Sequence, residues 1–309
     1  MKILITGGLG FQGSHLTESL LKQNHQVVIL NTYSQIAQNN LNKMRKKPIV
    51  VWGSITDFEL TQKTVRGQDV VFHLAAHINV DESIKYPDLV LKTNIEGSLN
   101  VMNACLKQHK RLILVSSCEV YGNPLHTNKI NEEVELRPHS PYAASKAAVD
   151  RICFSYLKTY ALKATILRPF NVFGERQKED KFGSLIPILV KRAISGKNLQ
   201  IHGTGKQTRD YIYIDDLIHA YNLVLNTKNI EGEIFNLGTG RETSIKEIAF
   251  YIAKKFNIDI EYVGERQGQV MRFCADITHA KNILGFEPKI DIWQGINRYI
   301  LWRLNYENN

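Results

Sequence analysis

With 309 residues, 43% of them apolar and 22% charged, the chain is long enough for one large α/β unit with a minor second lobe, and its composition excludes a disordered or fibrous protein. The formal net charge of +9 is scattered, with a local run only at Lys43–Lys47, which argues against a nucleic-acid surface. Cys105, Cys118, Cys153 and Cys274 show neither Cys-x-x-Cys nor metal-ligand spacing with His, so no metal site or disulfide framework is expected and a reducing cytoplasm fits; no apolar run reaches the length of a signal peptide or membrane span, so no membrane contact is expected.

The first half alternates short apolar runs with amphipathic stretches: KILIT (2–6), QVVIL (26–30), PIVVW (48–52), DVVFH (69–73), RLILVS (111–116) and ATILR (164–168). Continuous apolar strands separated by helices predict an α/β fold, a doubly wound parallel sheet covered on both faces. The two longest helices are predicted near 85–108 and 140–161. Such a pair packed against a second copy of itself would make a four-helix homodimer interface. After Arg168 the pattern loosens, punctuated by Pro169, Gly174, Gly183, Gly196, Gly203 and Gly205, which marks a smaller interleaved α/β lobe.

Between the first strand and the first helix lies TGGLGFQG, with Gly7, Gly10 and Gly13 at Gly-x-x-Gly-x-x-Gly spacing. Missing side chains there let the backbone and the helix N-terminus approach a pyrophosphate. The second strand ends at Asn31, where an acidic residue would be expected to hold the adenosine ribose. No Arg or Lys in 31–38 would neutralise a 2′-phosphate, so NAD is favoured over NADP.

Tyr142 and Lys146 are four apart on a predicted helix and share a face. A nearby ammonium, together with an oxidised nicotinamide, would lower the phenol's pKa and make Tyr142 a base for a substrate hydroxyl. Ser117, at the end of the fifth strand, offers a hydroxyl to the same substrate oxygen, and Glu119 adds a carboxylate two residues later.

Taken together, these landmarks resemble the extended short-chain dehydrogenase/reductase superfamily, in its NAD-dependent nucleotide-sugar epimerase/dehydratase family. They are TGGLGFQG (6–13), HLAA (73–76), TNIEG (93–97), SSCEVYG (116–122), Tyr142 with Lys146, RPFNVFG (168–174), SLIP (184–187) and TRDYIYIDD (208–216). The resemblance implies a Rossmann domain over 1–170 plus about 206–238, and a nucleotide-sugar lobe over about 171–205 plus 239–309. It implies cofactor contacts at Gly7, Gly10, Phe11, Gln12, Gly13, Asn31, Ser54, Ile55, Leu74, Ala75, Ala76, Asn94, Tyr142, Lys146 and Pro169. Ser54 stands where the family commonly has an acid for the adenine amino group, and His73 is expected to be structural.

On the substrate side the resemblance points to Ser83, to Asn171 and Arg209 at the diphosphate, and to Arg266 and Arg272 for phosphate or ribose. Leu185, Gln200 and His202 fall where the nucleobase is usually held. Gln269 replaces an acid often found near Arg266.

The implied chemistry begins with oxidation of sugar carbon 4 through Ser117, Tyr142 and Lys146. Glu119 matches the carboxylate base of the dehydratases, aimed at carbon 5, and Cys118 stands where some dehydratases carry an aspartic acid. Three fates stay open: elimination of water by a dehydratase, inversion by a 4-epimerase in which Glu119 is a bystander, and loss of carbon dioxide by a decarboxylase. A non-catalytic dinucleotide-binding regulator is a further alternative, disfavoured by the intact Ser117, Tyr142 and Lys146.

Overall fold

The protein, a computed structural model, is described for residues 1–123, 129–179, 184–264 and 270–307. Six strands stand within two residues of where the apolar runs predict them: β1 (Lys2–Thr6), β2 (Gln26–Asn31), β3 (Ile49–Trp52), β4 (Val70–His73), β5 (Arg111–Val115) and β6 (Ala164–Pro169). With a seventh strand, Ile234–Leu237, they form one sheet in the order Ile234–Leu237, β6, β5, β4, β1, β2, β3. The registers β1–β2, β1–β4, β2–β3, β4–β5 and β5–β6 are all parallel. From β1 the chain winds first toward β3, then back through β4 toward β6. The switch lies between β1 and β4, and the carboxyl ends of those strands are where an open α/β sheet binds ligands.

The sequence reading did not foresee the seventh strand. It is four residues long, and its apolar pattern is broken by buried Asn236, whose N–H donates to Glu132 Oε1 and whose Nδ2 donates to the Ile130 carbonyl. A polar side chain satisfied by tertiary partners disguises a buried strand as a loop.

The predicted helix over 85–108 is divided. A short helix, Val80–Lys85, capped by the Asn79 side chain on Glu82 N–H, ends at Tyr86. Pro87 starts the next at its first position, where its missing N–H costs nothing. That helix passes through a π-turn, Lys92–Glu96, into Gly97–Lys107. The other long helix, Pro141–Tyr160, is continuous; Ser140 caps it on Ala143 N–H, and Ala161 at φ 55 closes it.

The chain packs as two compact units: Met1–Tyr121, Leu136–Arg168 and Tyr221–Phe235 in the first; Gly122–Glu135, Pro169–Ala220 and Asn236–Asn309 in the second. The division departs from the boundaries expected from sequence, because 122–135 and 206–220 pack with the second unit. The first unit's core joins sheet to helices through Leu4, Val71, Leu112, Val101, Val149 and Ile166, all under 2% exposed. The second is organised by three two-stranded pairings: Asn171–Phe173 with Tyr211–Tyr213, Thr208–Arg209 with Thr243–Ser244, and Leu199–His202 with Ile260–Val263. Among the described residues, no helix is long and apolar enough to cross a membrane and no group of His, Cys, Asp and Glu could hold a metal ion. Cys105, Cys118, Cys153 and Cys274 are buried, and none is in a disulfide.

Candidate active site

The glycine turn after β1 tests whether the fold suits a dinucleotide. Gly7 has φ 74, and a Cβ there would lie 2.8 Å from the Ala75 nitrogen; at Gly13 it would lie 2.1 Å from the Gly7 carbonyl oxygen. Neither site tolerates a side chain, so the turn closes tightly between β1 and the loop after β4. Gly10 precedes the helix Phe11–Lys22 and gives it no side-chain cap. The first N–H groups of that helix, from Phe11, Gln12 and Gly13, therefore have no intrahelical partner and carry the positive end of its dipole, as a pyrophosphate requires. The Gln12 side chain is held by the Tyr221 hydroxyl at 2.8 Å, and the Phe11 ring meets His15 edge-on.

Asn31 serves this turn directly. Its Oδ1 accepts Leu9 N–H at 3.1 Å, its Nδ2 donates to the Thr32 carbonyl at 2.8 Å, and Asn40 Nδ2 donates to the Leu9 carbonyl at 2.9 Å. Leu9 is thus clamped on both sides of its backbone. The sequence reading missed Asn40, whose signal was an amide on the helix Gln35–Lys43 at a position that is buried. Ser54, expected at the adenine, turns its hydroxyl onto Thr56, bonding Oγ1 at 2.8 Å and accepting its N–H at 3.2 Å. Ile55 is buried, and its carbonyl takes Asn100 Nδ2 at 3.0 Å.

The loop after β4 is held from both ends. Leu74 N–H donates to the Thr6 carbonyl and Ala75 N–H to Thr6 Oγ1, while Ala76 stands half-buried before His77. Asn94, in the π-turn, accepts His77 N–H at 2.7 Å and donates to the His77 carbonyl and to Ser145 Oγ. Ser145 in turn donates to the Tyr142 carbonyl, so Asn94 ties the loop to the helix bearing Tyr142 and Lys146. Turns of this wider kind are common at functional sites. His73 is structural in geometry: wholly buried, it bonds Thr6 Oγ1 and Ser98 Oγ at 2.7 and 2.8 Å. Burial, helped by the Lys146 charge, lowers its pKa to about 3 and keeps it neutral. Ser83 is buried and donates to the Val80 carbonyl inside its own helix.

Ser117, Cys118, Glu119, Tyr142 and Lys146 all belong to the first unit. Ser117 follows β5 and leads into a single 3₁₀ turn, Cys118–Tyr121. Its hydroxyl accepts Glu119 N–H at 3.2 Å and hydrogen-bonds the Tyr142 side chain. Cys118 is 3% exposed and Glu119 half-buried. Lys146 Nζ donates to the Val115 carbonyl at 2.7 Å.

Burial governs both Tyr142 and Lys146. Burial raises the Tyr142 pKa well above that of a free phenol; the Ser117 bond pulls it down, and Glu119 and Cys118 push it up again. Lys146 donates to the Val115 carbonyl, and burial lowers its pKa to about 8 against the opposing pull of Asp150. The Ser117 bond therefore favours the phenolate.

In the second unit, Pro169 closes β6, and Asn171 N–H donates to the Asp210 carbonyl while its Oδ1 is buried without a hydrogen-bond partner, an acceptor that a ligand donor can satisfy. Arg209 donates to the Thr208 carbonyl, and its strand pairs with Thr243–Ser244. Arg272 is engaged by Glu242 through Nε and Nη2. Leu185 begins the helix Leu185–Ile194; exposed Gln200 and His202 bond Glu261 and the Gly264 carbonyl. Arg266 and Gln269 lie outside the described residues.

Tyrosine and lysine one helical turn apart, facing a strand-end serine on a glycine-turn Rossmann sheet, are the signature of a short-chain dehydrogenase/reductase. Comparison with known proteins narrows that class. The family model described as "NAD dependent epimerase/dehydratase family" matches residues 3–238, and the chain belongs to that family. A putative UDP-glucose 4-epimerase of Methanocaldococcus jannaschii is 35% identical over 308 residues, 98% of each chain. A UDP-N-acetyl-alpha-D-glucosaminuronate decarboxylase of Bacillus cytotoxicus is 31% identical, covering 100% of this chain and 99% of the relative. Among solved structures, the dTDP-glucose 4,6-dehydratase DesIV of Streptomyces venezuelae with NAD bound superposes with a TM-score of 0.92 at 30% identity, over 100% of this chain and 98% of that one. The protein is an NAD-dependent nucleotide-sugar enzyme, and its relatives divide among three reactions.

Proposed function

We propose that this protein is a nucleotide-sugar dehydratase that oxidises sugar carbon 4 transiently, abstracts the carbon 5 proton and eliminates water. The observation that carries the reading is the placement of Glu119. Its N–H rests on the Ser117 hydroxyl, and its carboxylate is close enough to Tyr142 to act on that residue's charge.

Bound NAD would supply the hydride acceptor and donor. Tyr142 takes the proton of the carbon 4 hydroxyl, with Ser117 holding the same oxygen and stabilising the phenolate. The resulting ketone acidifies carbon 5, whose proton passes to Glu119, and the Cys118 thiol donates a proton to the departing hydroxyl. Asn171 and Arg209 would hold the diphosphate, Arg266 and Arg272 the phosphate or ribose, and Leu185, Gln200 and His202 the base, with Ser83 beside the sugar; Asn171 is supported by its buried, unsatisfied oxygen. A homodimer through the helices expected near 85–108 and 140–161, in a cytoplasmic setting, completes the proposal.

A 4-epimerase acting on a UDP-hexose or UDP-N-acetylhexosamine is the second reading, favoured by Cys118. A thiol is a weaker acid than the aspartic acid of some dehydratases, and an epimerase needs no such acid. Incubation with UDP- and dTDP-sugars in deuterated water, read by mass spectrometry, separates the outcomes. A dehydratase yields a product lighter by one water and carrying deuterium. Unchanged mass with inverted carbon 4 overturns it in favour of the epimerase, and loss of carbon dioxide from a uronate in favour of the decarboxylase.

A further inference from the structure

Behind the helix that carries Tyr142 and Lys146 lies a buried ion cluster that none of these roles uses. Asp150, one turn beyond Lys146, has a wholly buried carboxylate. Arg168, 1% exposed at the end of β6, grips it with two bonds: Nε to Oδ2 and Nη2 to Oδ1, each at 2.9 Å. Arg151, whose side chain is 45% exposed, adds Nε to Oδ1 at 3.0 Å. The remaining arm of Arg168, Nη1, donates to the Tyr121 hydroxyl at 2.8 Å, and its guanidinium lies 5.0 Å above the Tyr121 ring. Tyr121 is the last residue of the turn that bears Cys118 and Glu119.

A cluster of this kind is costly to bury, and replacing such groups by apolar ones is often neutral or stabilising. Its presence beside the oxidation centre calls for a reason other than stability. We propose that Asp150 is a positioning residue for that centre: locked onto Arg168, it balances the positive charge behind the catalytic helix so that Lys146 remains an ammonium. Through Arg168 it also fixes Tyr121, and with it the turn that presents Cys118 and Glu119.

The surroundings of Lys146 support this. Tyr142 and Asp150 lie on its own helix, neutral His73 acts on it from β4, and the Val115 carbonyl accepts its hydrogen bond from β5. Cys118 and Glu119 act on Tyr142 from the turn, and Arg168 stands one carboxylate away on β6. Asp150 is the group that raises the Lys146 pKa against burial. Arg168 and Arg151, outweighing burial, hold the Asp150 carboxyl below its ordinary range, so it stays charged at neutral pH. Removing Asp150 would leave a buried guanidinium unopposed near a buried ammonium.

The inference rests on the oxidation step of the proposed reaction and is indifferent to whether elimination or inversion follows. It is tested on the NAD-bound protein by NMR titration of ¹³C-lysine, with the Lys146 signal assigned by its loss in Lys146→Met. In Asp150→Asn the Lys146 midpoint is expected to fall by about one pH unit or more. In Arg168→Met, which leaves the carboxylate opposed only by the half-exposed Arg151, it should rise; in Asp150→Asn/Arg168→Met it should return toward the wild-type value, and Asp150→Glu should keep it there. The pH at which nucleotide-sugar reduction of bound NAD declines should move in step. A purely structural role would lower thermal stability in the single variants and leave the midpoint unmoved. Unmoved midpoints in the folded single variants overturn the proposal, and if Asp150→Asn does not fold, an unmoved midpoint in Arg168→Met does so alone.

Discussion

The Lys146 ammonium and the Val115 carbonyl oxygen meet at 2.7 Å, which fastens the helix Pro141–Tyr160 to the end of β5 two residues before Ser117. One contact therefore sets how the lysine's own helix approaches the strand end from which Ser117 reaches Tyr142.

Replacing Lys146 should separate stability from activity. Its pKa is about 8 in the fold against an ordinary 10.5, so the folded state binds fewer protons between those values and stability rises with pH across that window. Below pH 8 the buried ammonium costs about 3 kcal/mol by that difference, offset in part by its bond to Val115. Lys146→Met should therefore melt at an equal or higher temperature at pH 7 while sugar oxidation falls roughly a hundredfold or more. A destabilised yet active variant would contradict this.

Ser117 should tune Tyr142. Burial raises the phenol and the Ser117 bond lowers it, so Ser117→Ala should move the rising limb of the oxidation rate to higher pH, while Ser117→Thr should hold it in place. Tyr142→Phe should cost about a hundredfold or more in oxidation while leaving NAD content unchanged. The pH profile of reduced nicotinamide absorbance on adding nucleotide sugar checks both.

Glu119→Gln should oxidise substrate at a near-normal rate yet form dehydrated product at least about a hundredfold more slowly if the dehydratase reading holds. Single-turnover analysis of reduced cofactor and product measures the two steps apart. Equal slowing of both would place Glu119 in the oxidation step.

Gly13→Ala should be far worse than Gly67→Ala. A Cβ at Gly13 would lie 2.1 Å from the Gly7 carbonyl oxygen, whereas at Gly67 it meets nothing within 4 Å and only the φ of +79 is strained. The first should cost about 3 kcal/mol or more and strip bound NAD; the second about 1 kcal/mol with NAD retained. Melting curves and cofactor content after desalting give both numbers.

His73 should govern part of the acid unfolding. Its pKa of about 3 lies below the ordinary 6.5, so the unfolded chain binds the proton first and stability falls as pH drops through that window, by about 5 kcal/mol in all. His73→Asn should lose some stability at pH 7 through its bonds to Thr6 and Ser98, yet show a flatter denaturant midpoint between pH 6.5 and 3.

Much of this was legible in advance because it is written in local patterns. KILIT and RLILV are strands by composition, and Gly7-x-x-Gly10-x-x-Gly13 is a turn that only glycine fits. The helix break at Pro87 is equally local, a proline at the first position of a new helix. Asn40 and the strand containing Asn236 were hidden for another reason: a buried amide looks like a loop residue until its partners, Leu9 and Ile130, are brought to it.

The sequence by itself determined the doubly wound sheet, the dinucleotide turn and the Ser117, Tyr142 and Lys146 set, since each depends on spacing within one element or across one turn. Only the tertiary structure decided which charges act on which. Lys146 donates to the Val115 carbonyl, Asn31 is spent on Leu9, and Asp150 is matched with Arg168, 18 residues away. Spacing along a chain fixes which side chains share a face. Ionisation is set by burial and by what the rest of the fold packs against that face, which no local pattern records.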